Sequence, residues 1–219
     1  MIIQPTSCNI RASSPSIWVV KLGGSLLDFA GLPALIQTLA NSQHSLVIIP
    51  GGGAFADTVR NTQKRWGFSD EIAHHMALLA MEQNALLLSA LDSRLEPCPN
   101  LQLMKQTLAA CKVPVWLPSQ MVLTAKDIKQ DWTMTSDSLS VWLTEELSAK
   151  GLLLVKSCPL TSGRITAAQL GREAVVDQAF STLVAKVDYP VWILQRENYR
   201  QIDTLLAGRE ADALQLIPG

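Results

Sequence analysis

A lysine, two glycines and a serine close the first apolar segment of the chain, and together they have the chemistry of an anion site. Lys21 lies near the end of the apolar run 17–22, and Gly23, Gly24 and Ser25 follow. Glycines let a ligand come close to the backbone, and successive backbone N–H groups can point at an anion. A lysine beside these amides adds the positive charge that suits a triphosphate. A glycine turn with a solvent-directed lysine is the simpler alternative.

Three consecutive glycines follow the second apolar run and predict another loop that a ligand can approach closely. Gly51, Gly52 and Gly53 come directly after the apolar residues 45–49 and Pro50. Three glycines in a row carry a large conformational entropy cost on folding, so an ordinary loop seldom uses them. The helix predicted after them would also present its positive N-terminus to an anion.

The same glycines allow a second hypothesis, an NAD-dependent dehydrogenase. Gly51, Gly53 and Ala56 fit a GxGxxA dinucleotide pattern. That pattern expects an acidic residue about 20 positions further on, at the end of the next strand. Asp70 and Glu71 have roughly this spacing, but they open a predicted helix. The dehydrogenase hypothesis is therefore the weaker one.

An aspartate before a helical pattern completes a set of charged groups. Ser136 or Asp137 is predicted to be the N-cap of that helix, where the helix dipole favours a carboxylate. Lys156 and Ser157 end another apolar run. An ionised Asp137 between Lys21 and Lys156 could fix both lysines while leaving their charge available to a transferring phosphoryl group.

The elements that must position these residues alternate between strand and helix. Because most of the strand-length runs are apolar throughout and are followed by helical patterns, they predict a mainly parallel sheet covered by helices on both faces, an α/β sandwich of three layers. Pro114 in the third run predicts a strand that begins late or lies at an edge. The predicted strands are 17–22, 45–49, 113–117, 152–156 and 191–194, and the principal helices are 32–39, 70–91 and 137–149.

The helix at 70–91 is apolar nearly all round its circumference. Such a helix is buried in a core or in a subunit interface. We therefore expect a homodimer or a higher homo-oligomer through this helix. The remainder of the chain shows no linker, and it predicts one domain over 16–219 after an N-terminal tail at 1–15.

Composition and charge exclude several classes of function. The formal net charge of −1 argues against a nucleic-acid binder, which needs a basic excess. No apolar run reaches the ~20 residues that span a bilayer, and residues 1–15 lack the apolar core of a secretory signal, so no membrane partner and a cytoplasmic location are expected. No set of His, Cys or carboxylate residues has metal-ligand spacing, and no protein-held metal is expected.

The motifs together resemble the amino-acid kinase superfamily, which includes aspartate, acetylglutamate, uridylate and isopentenyl phosphate kinases. The matching segments occur in the family's order: KLGGS at 21–25, PGGG at 50–53, TSDSL at 135–139 and LLLVKS at 152–157. A helix at 71–77 with the sequence EIAHHMA, the segment MEQ at 81–83 and Trp132 are similar to the subgroup that contains the aminomethylfuranyl-methyl phosphate kinase of methanofuran biosynthesis.

The resemblance implies a fold and a set of roles. The fold is the carbamate kinase-like αβα sandwich, with a half that binds the phosphoryl acceptor at about 16–115 and a half that binds ATP with Mg²⁺ at about 116–219. Lys21 would hold the transferring phosphoryl oxygens, Asp137 would orient the lysines, and Lys156 with Ser157 would bind the nucleotide. The other implied contacts are to the phosphates from Gly23, Gly24 and Ser25, and to the acceptor from Gly51, Gly52, Gly53 and His74.

The sequence therefore predicts an ATP-dependent kinase that phosphorylates a small molecule. The acceptor would be a phosphate monoester such as aminomethylfuranyl-methyl phosphate, which would become a diphosphate. Cys158, Pro159 and Leu160 stand where family members often have a V-D-G-like turn that frames the nucleotide. This departure motivates an alternative, a kinase-fold protein that binds nucleotides or oxyanions without turnover.

Overall fold

The computed structural model describes residues 16–159, 163–209 and 211–217, so the predicted tail at 1–15 lies outside the described residues. Within these ranges the strands form one eight-stranded sheet. The strands are β1 (Ile17–Leu22), β2 (Ser45–Pro50), β3 (Leu95–Cys98), β4 (Val113–Trp116), β5 (Gly151–Lys156), β6 (Gly163–Thr166), β7 (Val191–Gln195) and β8 (Ala213–Ile217).

Helices connect most of these strands. The α-helices of the described residues are α1 (Leu32–Ala40), α2 (Gly53–Trp66), α3 (Asp70–Leu91), α4 (Leu101–Ala109), α5 (Ser119–Val122), α6 (Ser136–Glu146), α7 (Ala167–Arg172), α8 (Phe180–Val184) and α9 (Ile202–Leu206). Two 3₁₀ helices, Gly24–Asp28 and Arg196–Gln201, follow β1 and β7.

The sheet has the strand order β3-β4-β2-β1-β5-β7-β8-β6. The strands from β3 to β7 in this order are parallel, and β8 reverses direction because it pairs antiparallel with β7. β1 and β5 are neighbours at the centre, although more than half the chain separates them in sequence. The carboxyl ends of β1, β2 and β5 therefore lie side by side, and the three loops that follow them share one edge.

Helices cover both faces of the sheet and create two hydrophobic cores. Alternate residues of β1 show the division, because Val19 belongs to one core while Trp18 and Val20 belong to the other. α1 and α9 pack on one face, α6 and α8 pack on the opposite face, and α3 contributes to both cores. The predicted three-layer α/β architecture with a mainly parallel sheet is confirmed.

The boundaries of α3 follow from its flanking residues. Ser69 is the N-cap, and its hydroxyl accepts a hydrogen bond from the amide of Ile72. Asp70 and Glu71 add negative charge to the first turn, where the helix dipole stabilises it. Gly67 ends the preceding helix α2 with φ +68°, a conformation that glycine adopts without strain.

None of the helices in the described part of the chain has the length and apolar character needed to cross a membrane.

Candidate active site

Lys21, Asp137 and Lys156 form a buried chain of ion pairs at the carboxyl edge of the sheet. Lys21 Nζ lies 2.6 Å from Asp137 Oδ1. Lys156 Nζ donates to both carboxylate oxygens of Asp137, at 2.8 and 2.7 Å. The exposed fractions are only 3% for Lys21, 6% for Asp137 and 8% for Lys156. The structure therefore brings together the three charged residues singled out in the sequence.

The burial of this chain changes the proton affinity of its groups. Desolvation on its own would raise the pKa of Asp137, but the charges of Lys21 and Lys156 outweigh it and hold the pKa below its usual value. Burial and the nearby charge of Lys21 lower the pKa of Lys156 from 10.5 to about 8. Asp137 is therefore an ionised carboxylate, and Lys156 is a cation that loses its charge under mildly alkaline conditions.

Asp137 is free to face the lysines because another residue caps its helix. The expectation that Ser136 or Asp137 is the N-cap of α6 was wrong, since the cap position is Thr135, whose side chain makes no capping bond. Asp177 supplies the acceptor from a distant loop instead. Its Oδ2 accepts from the amides of Thr135 and Ser138 at 2.8 and 3.1 Å. A cap from outside the helix leaves both oxygens of Asp137 available to cations.

The two glycine loops pack directly against each other. A methyl group on Gly24 would lie 2.2 Å from the backbone nitrogen of Gly53, and one on Gly51 would lie 2.4 Å from the nitrogen of Gly24. Gly53 also has φ +53°, in the left-handed region. The close contact between the two loops, which the sequence did not reveal, is therefore one reason why these positions are occupied by glycine.

Some backbone amides of the two glycine loops already donate hydrogen bonds within the protein. Gly23 N–H donates to Val155 O at 3.1 Å, and Gly51 N–H donates to Leu22 O at 2.7 Å. Gly24 and Gly53 each begin a helix, and the first N–H groups of a helix have no acceptor within that helix. Gly24 and Gly53 are therefore better placed than Gly23 and Gly51 to donate to an anion.

The loops after β1 and β5 also touch. Ser25 Oγ and Ser157 Oγ are 2.7 Å apart and form a hydrogen bond. This hydrogen bond is exposed, whereas Lys21 and Lys156 are buried. Two serines named from the sequence therefore sit together where the two halves of the chain meet.

Asn84 holds the triple-glycine loop by a side-chain hydrogen bond, and this residue was not identified from the sequence. Its side chain is 1% exposed on α3, and its Nδ2 donates to Gly51 O at 2.6 Å. The sequence signal was weak, a polar residue in the mainly apolar second half of the helix. Such a residue needs a partner when it is buried, because an unpaired amide in an apolar core is costly.

A cavity of about 250 Å³ lies beside the glycine loops, and His74 lines it together with Gly24, Gly53 and Ser136. His74 is 5% exposed, and its ring Nδ1 is 3.3 Å from Asp131 O. A carbonyl only accepts, so Nδ1 carries the hydrogen and Nε2 is left as an acceptor. Nε2 has no partner within the described residues. Burial lowers the pKa of His74, which favours the neutral ring.

A second, larger space of about 640 Å³ opens on the other side of the 131–135 segment and reaches Asp137. Arg60 and Trp132 border both spaces. The Arg60 guanidinium lies 4.4 Å from the centre of the Trp132 ring, and Trp132 Nε1 donates to Gln63 at 2.6 Å. The pair therefore joins α2 to the segment before α6 at the boundary between the two cavities. Sequence reasoning singled out Trp132 but not Arg60.

The described residues contain no group of three or more His, Cys, Asp or Glu side chains arranged to hold a metal ion. Both oxygens of Asp137 are engaged by lysines. The side-chain chemistry of the site is thus cationic, and it suits the phosphate groups of a metal–nucleotide complex better than a bare cation.

The sequence is similar to that of a named kinase. The chain is 25% identical over 202 residues to [5-(aminomethyl)furan-3-yl]methyl phosphate kinase of Methanocaldococcus jannaschii, and the match covers 87% of this chain and 93% of that protein.

Solved structures show the same fold. UMP kinase from Ureaplasma parvum superposes with a TM-score of 0.67 at 13% identity, over 93% of this chain and 99% of that one. Uridylate kinase from Archaeoglobus fulgidus has a TM-score of 0.68 at 16% identity, over 91% and 99%. An isopentenyl phosphate kinase has a TM-score of 0.62 at 14% identity, over 91% and 99%.

The amino acid kinase family profile matches residues 16–160, about two thirds of the chain, and includes both lysines, both glycine loops and Asp137. With the ion-pair chain, the paired glycine loops and the shared architecture in place, this match shows that the chain belongs to the amino acid kinase family and is a phosphotransferase.

Proposed function

We propose that the protein transfers the γ-phosphoryl group of ATP to a small phosphate monoester. One observation carries the proposal: two buried lysines share Asp137, which borders the larger cavity, and the two glycine loops touch each other and line the smaller cavity. Phosphoryl transfer requires positioning and stabilisation of charge more than covalent work by the protein. Cations and amides that are fixed before the reaction supply this stabilisation without reorganisation.

Each group has a role in the transfer. An acceptor oxygen forms a bond to the γ-phosphorus while the bond from that phosphorus to the β,γ-bridging oxygen breaks, and ADP leaves. Lys21 and the amides of Gly24 and Gly53 stabilise the transferring group, and Lys156 with Ser157 binds the nucleotide phosphates. Mg²⁺ arrives on the nucleotide, whose phosphate oxygens are its ligands. Asp137 keeps the two ammonium groups in place.

The state of Asp137 supports an acceptor that is already ionised. A hydroxyl acceptor has to lose a proton, which calls for a nearby general base. Asp137 is a poor base because its pKa is lowered and both of its oxygens are engaged by lysines. A phosphate monoester carries ionised oxygens at neutral pH and needs no base. Its product would be a diphosphate.

The 250 Å³ cavity is our candidate for the acceptor site. It adjoins Gly24 and Gly53, where transfer would occur, and His74 is one of the residues that line it. Arg60 adds a positive charge at its rim. [5-(Aminomethyl)furan-3-yl]methyl phosphate, the substrate in the name of the Methanocaldococcus relative, is a small phosphate monoester of the proposed class. We propose it as the first acceptor to test.

We assign the two halves of the chain accordingly. Residues of about 16–115 supply the β1 and β2 loops, α2 and α3, which line most of the acceptor cavity, and residues from 131–139 complete it. Residues of about 116–219 supply Lys156 and the loop at 174–178, and this loop borders the larger space proposed for the nucleotide. The ion pair between Lys21 and Asp137 joins the halves at the site of transfer.

The outer face of α3 supports our proposal of a homodimer. Ile72, Leu79 and Leu86 are 53%, 44% and 56% exposed, and their heptad spacing places them on one face. Heptad-spaced apolar residues are the pattern that pairs with a second such helix. In a two-fold dimer the same face of each copy would meet. Leu79→Glu should therefore yield monomers in analytical ultracentrifugation, whereas wild type sediments as a dimer.

The proposed activity is tested by Lys21→Met, which removes the charge and retains much of the apolar stem. We expect wild type to form ADP with a phosphate monoester acceptor, and we expect the variant to lose this activity while its circular dichroism spectrum is unchanged. The exposed Lys105→Met is the matched control. Full activity in Lys21→Met would refute the assignment. Calorimetric binding of Mg-ATP without ADP formation with any acceptor would instead favour a protein that binds nucleotide without turnover.

A further inference from the structure

Asp177 lies at the junction of two segments that hold the ion-pair chain. Its Oδ2 accepts from the amide and the hydroxyl of Thr135, both at 2.8 Å, and from the amide of Ser138 at 3.1 Å. Its Oδ1 accepts from the hydroxyl of Ser138 and from the amide of Phe180 at 3.1 Å. One carboxylate thus binds the N-terminus of α6 to the N-terminus of α8.

These five donors define what Asp177 can do. A carboxylate has about four lone-pair positions, so the capacity of Asp177 is fully used by the protein. It has no free oxygen for a metal ion, a substrate hydroxyl or a proton transfer. Its effect on the reaction can therefore only pass through the groups that it holds.

The groups that Asp177 holds lie next to the residues of the ion-pair chain. Asp137, which contacts both lysines, lies between Thr135 and Ser138, the residues that Asp177 holds. On its own segment, Asp177 is two residues after Val175, whose carbonyl accepts from Lys156 Nζ at 2.7 Å. Asp177 is thus connected to Lys156 by two routes, one through Asp137 and the other through Val175.

The backbone before Val175 is strained, which makes such an anchor necessary. Ala174 has φ +52°, in the left-handed region that residues other than glycine rarely adopt. A strained residue persists only when its surroundings hold it in place. The bond from Lys156 to Val175 O and the bonds to the Asp177 carboxylate lie on the C-terminal side of this residue, and they hold the segment there.

From this arrangement we propose that Asp177 is a positioning residue for phosphoryl transfer: it fixes Asp137 and the Val175 carbonyl, which together set the place of the Lys156 ammonium group. This inference rests on the proposed kinase function. It adds a carboxylate that the four sequence motifs do not contain.

The test is Asp177→Asn, which retains the size of the side chain but places a donor where amide donors now bind. Misplacement of reacting groups by about 1 Å can cost on the order of a hundredfold in rate. We expect kcat to fall at least ~10-fold and the KM for ATP to rise. The KM for the acceptor should rise less, because α2, α3 and the glycine loops are untouched and only Thr135 and its neighbours in α6 also line the acceptor cavity. Asp188→Asn, at an exposed aspartate in a nearby loop, is the matched control and should match wild type.

Stability and activity are measured separately, so that a structural role can be recognised. Urea titrations give the folded fraction, and rates are expressed per folded molecule. A lower unfolding midpoint with unchanged kcat would overturn the proposal. If Asp177→Asn does not fold, Ser138→Ala removes one donor to Asp177 and should lower kcat in the same pattern by a smaller factor; an unchanged kcat there would also overturn it.

Failure of the kinase assignment gives a different result. If wild type binds Mg-ADP but transfers no phosphoryl group to any acceptor, the proposed function is wrong, and the affinity for Mg-ADP becomes the readout for Asp177. A weaker affinity in Asp177→Asn than in Asp188→Asn would then support the positioning role. Equal affinities would refute it.

Discussion

The lowered pKa of Lys156 makes nucleotide binding sensitive to mildly alkaline pH. The ammonium group of Lys156 has a pKa of about 8, lowered by burial and then by the charge of Lys21. Bound phosphates stabilise the charged form, so binding is coupled to the presence of that proton. The affinity should therefore fall as pH rises through about 8. With a single proton and a pKa of 8, the free protein is about 90% charged at pH 7 and about 10% charged at pH 9, so the affinity for Mg-ADP should weaken about tenfold between these values.

Isothermal titration calorimetry of Mg-ADP from pH 7 to 9 measures this change. Lys156→Arg is the control, because a guanidinium stays charged throughout this range. Its affinity should vary much less with pH than that of wild type, whatever its absolute value, and it also corrects for titration of the nucleotide. A flat wild-type profile, or the same tenfold decrease in Lys156→Arg, would refute this account of the site.

The pKa of Lys156 also affects folding stability. The folded-state pKa lies below the value of 10.5 for an ordinary lysine, so between pH 8 and 10.5 the unfolded chain binds more protons than the folded chain. This group alone therefore makes the free energy of unfolding rise with pH across that window. The two effects have opposite directions, since alkaline pH relieves the cost of a buried charge and removes the charge that a phosphate requires.

Three further substitutions test the loops and the acceptor cavity. Gly24→Ala places a methyl group 2.2 Å from the nitrogen of Gly53, so the loops must separate, and we expect a loss of about 1–3 kcal/mol in urea unfolding together with loss of transfer. Gly23→Ala, whose methyl group would lie 3.3 Å from its nearest atom, should lose less stability than Gly24→Ala. Asn84→Leu leaves a buried carbonyl without its donor and should cost about 1–3 kcal/mol in the same assay; an unchanged midpoint would show that water replaces the amide. His74→Asn should raise the acceptor KM about tenfold or more with little change in Mg-ADP affinity, and an unchanged acceptor KM would place the acceptor elsewhere.

The sequence predicted the strands best where a strand-length apolar run was followed by a turn and a helical pattern. Apolar runs at 17–22 and 152–156 could only be buried strands, and both lysines at their ends lie at the same edge of the sheet. β3 escaped prediction because Leu95–Cys98 is four residues long and contains Pro97. That omission made the prediction for Pro114 wrong: β4 neither begins late nor lies at an edge, since β3 pairs along it.

The charged residues of the candidate site were predicted from the sequence, but the residues that hold them and the glycine loops in place were not. The relation of Asp137 to both lysines was raised as a possibility from the residue types and was implied by the family resemblance. Asp177 and Asn84 act on residues that are 42 and 33 positions away in sequence, and no local pattern reports such contacts. Arg60 was missed for the same reason, since its partner Trp132 belongs to the other half of the chain.

The central pairing of β1 with β5 has a consequence for how such a protein can diversify. Lys21 and Lys156 stand on neighbouring strands, which lie about 4.8 Å apart, and Lys156 is two residues beyond Leu154, the partner of Lys21. The spacing of the two lysine backbones is therefore set by the sheet's own hydrogen bonds and not by any loop. Changes in α2, α3 or the 131–135 segment can reshape the acceptor cavity without altering that distance. Acceptor choice and phosphoryl chemistry can therefore evolve independently, because different parts of the same chain encode them.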